Sequence, residues 1–311
     1  MPSNLIDAPD CPLSCQALLT SACALILLAS AVLEPHRAMA QSNPPAAVTD
    51  SLGDYAYSPS KGPRDRVVHY LKSNLDGSKR LVLSAHFAEP LKLEVLKVEH
   101  DGQSLALVSA VLDPATLTES SMQSFNALES GTPRLQMILK SDAGSRRLVA
   151  HVAKAEMPVA VPHLPAHIYN FDLMGFNATL PHLKDPRSDF EVGIVDPDFE
   201  FLAKRFKPDG GVQEGGFVYK GKATFRFVGE EKKNDVACLK YEVGGPAFGG
   251  IKGTLWINAQ DRLIERFEHA VPDNPEWQSL RLVRLSSRAM DAAGWRDFKD
   301  ATVKRAKALQ D

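Results

Sequence analysis

The chain has 311 residues, 44% apolar and 24% charged, with 36 basic against 38 acidic side chains and a formal net charge of −2. That balance excludes a disordered polyelectrolyte and gives no electrostatic reason to bind nucleic acid or an anionic bilayer surface. The length suffices for one large core or two smaller ones.

Residues Ala24 to Leu33 are small or apolar apart from Ser30, and Glu34-Pro35-His36-Arg37 and Ala38-Met39-Ala40 follow. An apolar run, a helix-breaking proline and an A-x-A site predict an export signal over 1–40, cleaved after Ala40, and a periplasmic or secreted product. One feature departs from the pattern: Met1 to Gln16 holds Asp7 and Asp10 but no Lys or Arg. The apolar run is too short for a membrane span, and no second long run follows, so no stable span is expected in the mature chain. Cleavage removes three acids (Asp7, Asp10, Glu34) and one base (Arg37), which leaves 35 of each sign. It also removes Cys11, Cys15 and Cys23, so Cys238 has no intramolecular disulfide partner and stability must come from the core.

A disordered, Pro- and Ala-containing tail is expected over 41–63. Strands are predicted from Arg66 to Lys72 and, after a turn at Asp76-Gly77, from Lys79 to Ala88, where Leu81, Leu83, Ala85 and Phe87 alternate with other residues. From Leu91 to His100 the apolar positions slip phase between 95 and 96, which predicts a β-bulge. Leu105 to Leu112 is almost wholly apolar and reads as a central strand. Asp113-Pro114 opens a predicted helix that Gly131 closes, with Leu117, Met122, Phe125 and Leu128 as its stripe. Strands over Leu135 to Lys140 and Arg147 to Lys154 complete a first β-rich half, 64–157. Pro158, Pro162 and Pro165 stiffen a connector to a second half, 158–311.

The second half is organised by the stretch from Gly215 to Asn258. Phe217, Tyr219, Gly221, Ala223, Phe225 and Phe227 alternate with Val218, Lys220, Lys222, Thr224 and Arg226, a period of two with one apolar face. The chain returns through Ala237, Leu239, Tyr241 and Val243, then through Leu255 and Ile257, giving three antiparallel strands that share that face. Strands at Arg262 to Ala270 and Trp277 to Ser287 follow, and a closing amphipathic helix from about Asp291 to Leu309 carries Trp295, Phe298, Thr302, Ala306 and Leu309 on one side.

The chemical motifs are incomplete. Gly216, Gly221 and Lys222 approach a phosphate-binding loop, but Ala223 stands where Ser or Thr is needed, and the segment alternates as a strand. His163 and His167 are four apart, with Asp172 and His182 nearby, but Pro162 and Pro165 oppose the helix that would align them on a metal. Asp185, Asp189, Asp196 and Asp198 lack the spacing of a calcium loop. Ser58-x-x-Lys61 lacks the partner motifs of penicillin-recognising enzymes, and Cys238, in a strand, reads as packing. No catalytic set, metal site or cofactor motif is assembled.

The stretch FVGEEKKNDVACLKYEVGG and the following GTLWINAQDRLIERFE resemble the long bent strands of the bacterial lipoprotein-carrier-like superfamily. The resemblance covers about residues 215–288. It implies a mostly β, α+β protein: a curved antiparallel sheet or half-barrel of hairpin-connected strands with two helices packed on it, carrying or sensing lipids or lipoproteins. No binding residue transfers with it.

The leading expectation is therefore an exported, non-catalytic binding protein whose ligand is a lipid or other apolar molecule, with an envelope protein as a further partner. The candidate binding residues are those of the apolar sheet face: Phe217, Tyr219, Phe225, Phe227, Leu239, Tyr241 and Leu255. The rival is an envelope hydrolase or metal-assisted enzyme that uses the His163 to Asp198 region, where His, Asp, Asn and Tyr crowd a segment with little regular pattern.

Overall fold

The computed structural model describes residues 52–99, 105–126, 134–142, 146–275 and 277–308. The expected export signal and the first part of the expected tail lie outside them. Residues 52–63, expected to belong to that tail, lie against the sheet: Tyr55 is buried and forms an antiparallel bridge with Leu183.

The strands in chain order are β1 (Arg66–Ser73), β2 (Leu81–Glu89), β3 (Lys92–Glu99), β4 (Leu105–Leu112), β5 (Glu119–Asn126), β6 (Arg134–Asp142), β7 (Arg147–Val152) and β8 (Ala155–Ala160). Then come β9 (Ala166–Ile168), helix α1 (Met174–Thr179), β10 (Phe190–Pro197), α2 (Phe199–Lys204), β11 (Phe217–Lys233), β12 (Val236–Gly244), β13 (Gly253–Asn258), β14 (Ile264–His269), β15 (Leu280–Ala289) and α3 (Ala292–Lys307). All fifteen strands belong to one curved, unclosed sheet ordered β8-β7-β6-β5-β4-β3-β2-β1-β15-β14-β13-β12-β11-β10-β9. Hairpins join nearly all neighbours. The exceptions are the β1–β15 pair, from Arg66↔Ala289 to Ser73↔Arg281, the short parallel pair β9–β10, and the antiparallel pair β10–β11, whose connection carries α2. The predicted half-barrel is thus the observed architecture.

The expected three-stranded unit is present as β11, β12 and β13, with Phe227 opposite Tyr241 and Tyr241 opposite Leu255. Strand β11 bends where the register shifts near Gly221 and Gly229, both at positive φ. Gly193 on β10 lets β9 approach, since a Cβ there would stand 2.9 Å from the His163 carbonyl oxygen and 3.1 Å from the Ala166 Cβ.

Three local expectations are corrected. The helix expected after Asp113-Pro114 is instead a turn followed by β5. The Asp113 carboxylate accepts from the Ala115 amide at 2.6 Å, Leu117 takes φ 51, and the chain reverses into an extended run with three Ser and one Gln. Those residue types lose little in a strand, and four apolar positions are too few to hold a helix. The second correction is β8, where a connector was expected. Pro158 is tolerated because β8 is the edge strand of the sheet, and its outer side makes one isolated bridge, Glu156 with Val212, that does not involve Pro158.

The third concerns the phase slip at 95–96, which is not a bulge, since β3 keeps its register with β4 throughout. Val95 faces the main core, while Leu96 faces a second cluster with Val67, Leu105, Trp295 and Ala306. Both faces of β3 are covered, one by the core and the other by α3. Asp291 caps α3 by accepting from the Gly294 amide at 2.8 Å, and Trp295 stacks on His86 with centroids 5.1 Å apart.

Candidate functional site

The concave face of the sheet is occupied by one internal segment, residues 166–183, of which every residue except Asn170 is buried. It comprises β9, two 3-10 turns and the six-residue α1. Its sequence shows no period because it meets protein on every side.

The apolar face singled out from the sequence packs on this segment. Phe225 stacks with Phe190 at 4.7 Å and Phe176 at 4.9 Å, and Phe190 meets Tyr241 edge-on at 5.2 Å. Phe217, Phe225, Leu239, Tyr241 and Leu255 are at most 4% exposed, while Tyr219 and Phe227 are partly buried at the margin. The Tyr241 hydroxyl donates to the Pro186 carbonyl.

At one end of the sheet, where β1 stops, lies a buried ionic nest. The Lys72 ammonium donates to Asp172 Oδ1 at 2.7 Å and to Asp273, while Lys97 pairs with Asp172 Oδ2. The Trp277 ring centroid lies 4.2 Å from Lys72 Nζ. Burial opposes the charges on Lys72 and Asp172, but their partners outweigh it: Lys72 is held above the usual lysine range, and Asp172 below the usual carboxylate range. Burial dominates at Asp273, raising it, and drives Asp196 up to about 7 despite Lys220 and the Asn170 amide. Asp172 and Leu173 both take left-handed φ, 55 and 60. Such geometry costs of order 1 kcal/mol or more per non-glycine residue.

A second buried group lies deeper. His167 Nδ1 is 3.5 Å from Glu119 Oε1, and His167 Nε2 is 3.3 Å from the Thr179 hydroxyl. The order hydroxyl, imidazole, carboxylate is that of a hydrolytic triad. However, the Thr179 proton goes to the Phe176 carbonyl at 2.8 Å, and all three side chains are buried. As placed, the trio braces α1. Gly175 packs on the Glu119 carboxylate so closely that a Cβ would collide with it.

The fold thus separates the residues that crowd the sequence from 163 to 198. His167 goes to Glu119, Asp172 to the nest, and His182 to the Ser58 amide at 3.3 Å, while His163 lies half-buried near β10. Asp185 accepts from the Arg187 amide and the Ser188 hydroxyl, Asp189 from the Phe227 amide, and Asp198 caps α2. Among the described residues no three His, Cys, Asp or Glu side chains converge in a metal-ligating arrangement. Strand β11 begins just after Gly216 and runs through Gly221 and Lys222 of the near-phosphate loop, and burial pushes the Cys238 thiol up to about 11. No helix among them is long and apolar enough to cross a membrane.

Sequence reasoning missed the nest. Asp172 and Asp196 stood out in the sequence, but Lys72 and Asp273 lie far from them in the chain, and only a lysine following Tyr70 and Leu71 in β1 hints at buried charge.

No family model and no curated protein matches the chain. The solved structures similar to it include the following two. A domain from Vibrio parahaemolyticus, titled as an outer membrane lipoprotein-sorting protein, is 12% identical over 77% of this chain and 90% of that chain, with a TM-score of 0.27. A DUF1329 family protein from Desulfovibrio piger is 10% identical over 72% and 85%, with a TM-score of 0.21. Neither transfers a residue to this site.

Proposed function

We propose that the protein is an exported, non-catalytic binding protein of the cell envelope that carries or senses a lipid or similar apolar ligand. The ligand meets the aromatic face of β11, β12 and β13, with Phe217, Tyr219, Phe225, Phe227, Leu239, Tyr241 and Leu255 as its wall. Segment 166–183 occupies that seat in the ligand-free state and gives way to the ligand.

The observation that carries this reading is the nature of the filling. A wide aromatic concavity is covered by short turns and a six-residue helix, with strand pairing over only three residues. Two left-handed non-glycine residues in the segment add strain that its release would relieve. Its hold is through buried side chains, among them Asp172 with Lys72 and Lys97, rather than a long backbone ladder, and those are the contacts a ligand has to replace.

Native mass spectrometry of the mature protein, with extraction of copurifying lipid, tests the proposal. A bound lipid, or enhancement of an apolar dye that the lipid competes away, is the expected result. A protein that carries no lipid and leaves the dye unchanged overturns it.

A further inference from the structure

At the end of the sheet opposite the ionic nest, where β1 begins, a cavity of about 640 Å3 lies between the segment 60–64, the residues 181–184 that end the internal filling, and the turn joining β13 to β14. Its lining carries Lys61, Arg64, Arg66, Lys184, Arg262 and Arg284 against a single acid, Asp261. Arg284 neutralises that acid through two bonds, at 2.7 and 3.1 Å.

Among the described residues the other five cations pair with no carboxylate. Arg66 donates to the Ser287 hydroxyl and Lys184 to the Gly53 carbonyl, both neutral acceptors. The acids that feel Arg64 and Arg262 at longer range, Glu89 and Asp185, lie outside the lining and are held by Lys92 and by Ser188 with the Arg187 amide. Five converging, uncompensated cations repel one another unless an anion joins them. This local excess is conspicuous in a chain whose charges otherwise nearly cancel.

Behind the wall, between the lining residues Pro181 and Leu183, lies an unused donor on His182. The Ser58 amide donates to His182 Nδ1, and burial, aided by Lys61, lowers the ring's pKa to about 4, so the neutral imidazole carries its proton on Nε2. That Nε2 is buried without a partner, 3.8 Å from where a Cβ on Gly62 would stand, and Gly62 lines the cavity.

We infer that this cavity binds a phosphate ester, the dianionic phosphate lying among the guanidinium forks of Arg64, Arg66 and Arg262 with Lys61 and Lys184 beside it. The volume falls in the range of small-molecule sites and leaves room for a group attached to the phosphate. The source is either a free, soluble phosphate ester or a phospholipid headgroup. The inference deepens the carrier reading and rests on it only for the lipid source.

Titration calorimetry with glycerol 3-phosphate and with dihexanoyl phosphatidic acid below its micellar concentration separates the sources, with glycerol and dihexanoyl phosphatidylcholine as controls. The test variant is Lys61→Glu/Arg64→Glu, since both positions are exposed and lie outside strands and helices. The expected result is saturable binding of a phosphate monoester that weakens with salt and falls at least about tenfold in the variant, at unchanged melting temperature. Tighter binding of phosphatidic acid than of glycerol phosphate supports both the site and the lipid source. Equal binding of the two keeps the site and counts against a lipid carrier. Absence of binding by either phosphate, or equal binding by variant and wild type, overturns the site, and native mass spectrometry then judges the carrier reading separately.

Discussion

Replacing Phe225 by Asp, with Arg226→Asp as its neighbour control, tests the face assignment on which the concavity depends. The Phe225 side chain is 2% exposed and stacked between Phe190 and Phe176. Truncating such a ring costs about 3 to 5 kcal/mol, and an unpaired carboxylate left in the cavity adds several more. Against a total stability of about 5 to 15 kcal/mol, the variant should be unfolded or close to it at 25 °C. Arg226 lies one residue on and faces solvent, with 63% of its side chain exposed and one ion pair to Glu242 at 3.0 Å. Losing that pair and placing Asp opposite Glu242 costs about 1 kcal/mol, a shift of about 2 to 4 °C. Circular dichroism melts of both variants provide the assay. Equal loss of melting temperature in the two would refute the half-buried strand and the curved sheet built around it.

Three further outcomes are expected. Asp196 should make stability depend on pH: its folded pKa lies near 7, above its ordinary value of 3.8, so its contribution is full below pH 3.8 and lost as pH rises through 7. In Asp196→Asn this loss should vanish, leaving the variant about 2 to 4 kcal/mol more stable than wild type at pH 8 and level with it at pH 4, as read from urea midpoints; the same gap at both pH values would rule out the titration. Lys72→Met strands Asp273 in the interior and leaves Asp172 to Lys97 alone, and should cost about 3 to 5 kcal/mol, part of which Asp273→Asn restores in the double variant; additive costs in a double-mutant cycle would show no coupling. Trp295→Ala removes the ring that stacks on His86 and donates to Glu94 at 2.5 Å, and should cost about 3 to 5 kcal/mol, whereas Asp291→Ala, losing only the cap of α3, should cost about 1 kcal/mol; thermal melts that rank them the other way would contradict the packing of α3 on the outer face.

Elements with one wet face were legible in the sequence. Strand β11 alternates because Arg226 and Val228 meet solvent while Phe225 does not, and α3 shows its stripe because only Trp295 and its neighbours touch the sheet. Legibility failed where that contrast vanished. Segment 166–183 is buried on all sides, so no period marks it, and Leu96 is apolar on the second covered face of β3. Asp113-Pro114 is ambiguous for another reason, since an Asp that accepts from an amide two residues ahead looks like the opening of a helix. Placement of the candidate site was beyond local pattern altogether. The nest draws Lys72, Asp172 and Asp273 from widely separated strands and loops, and the cavity takes Lys61 and Arg262 from opposite ends of the chain.

The central seam of the sheet, where β1 meets β15, joins residues more than two hundred positions apart. The chain supplies β15 long after β1, so the strands from β1 to β8 wait with the inner edge of β1 unpaired. Loop-closure entropy of that size slows folding, and a bare strand edge is a template for pairing with another chain. Folding of this protein should therefore be slow and concentration-sensitive, with aggregation competing until the last strand is laid in.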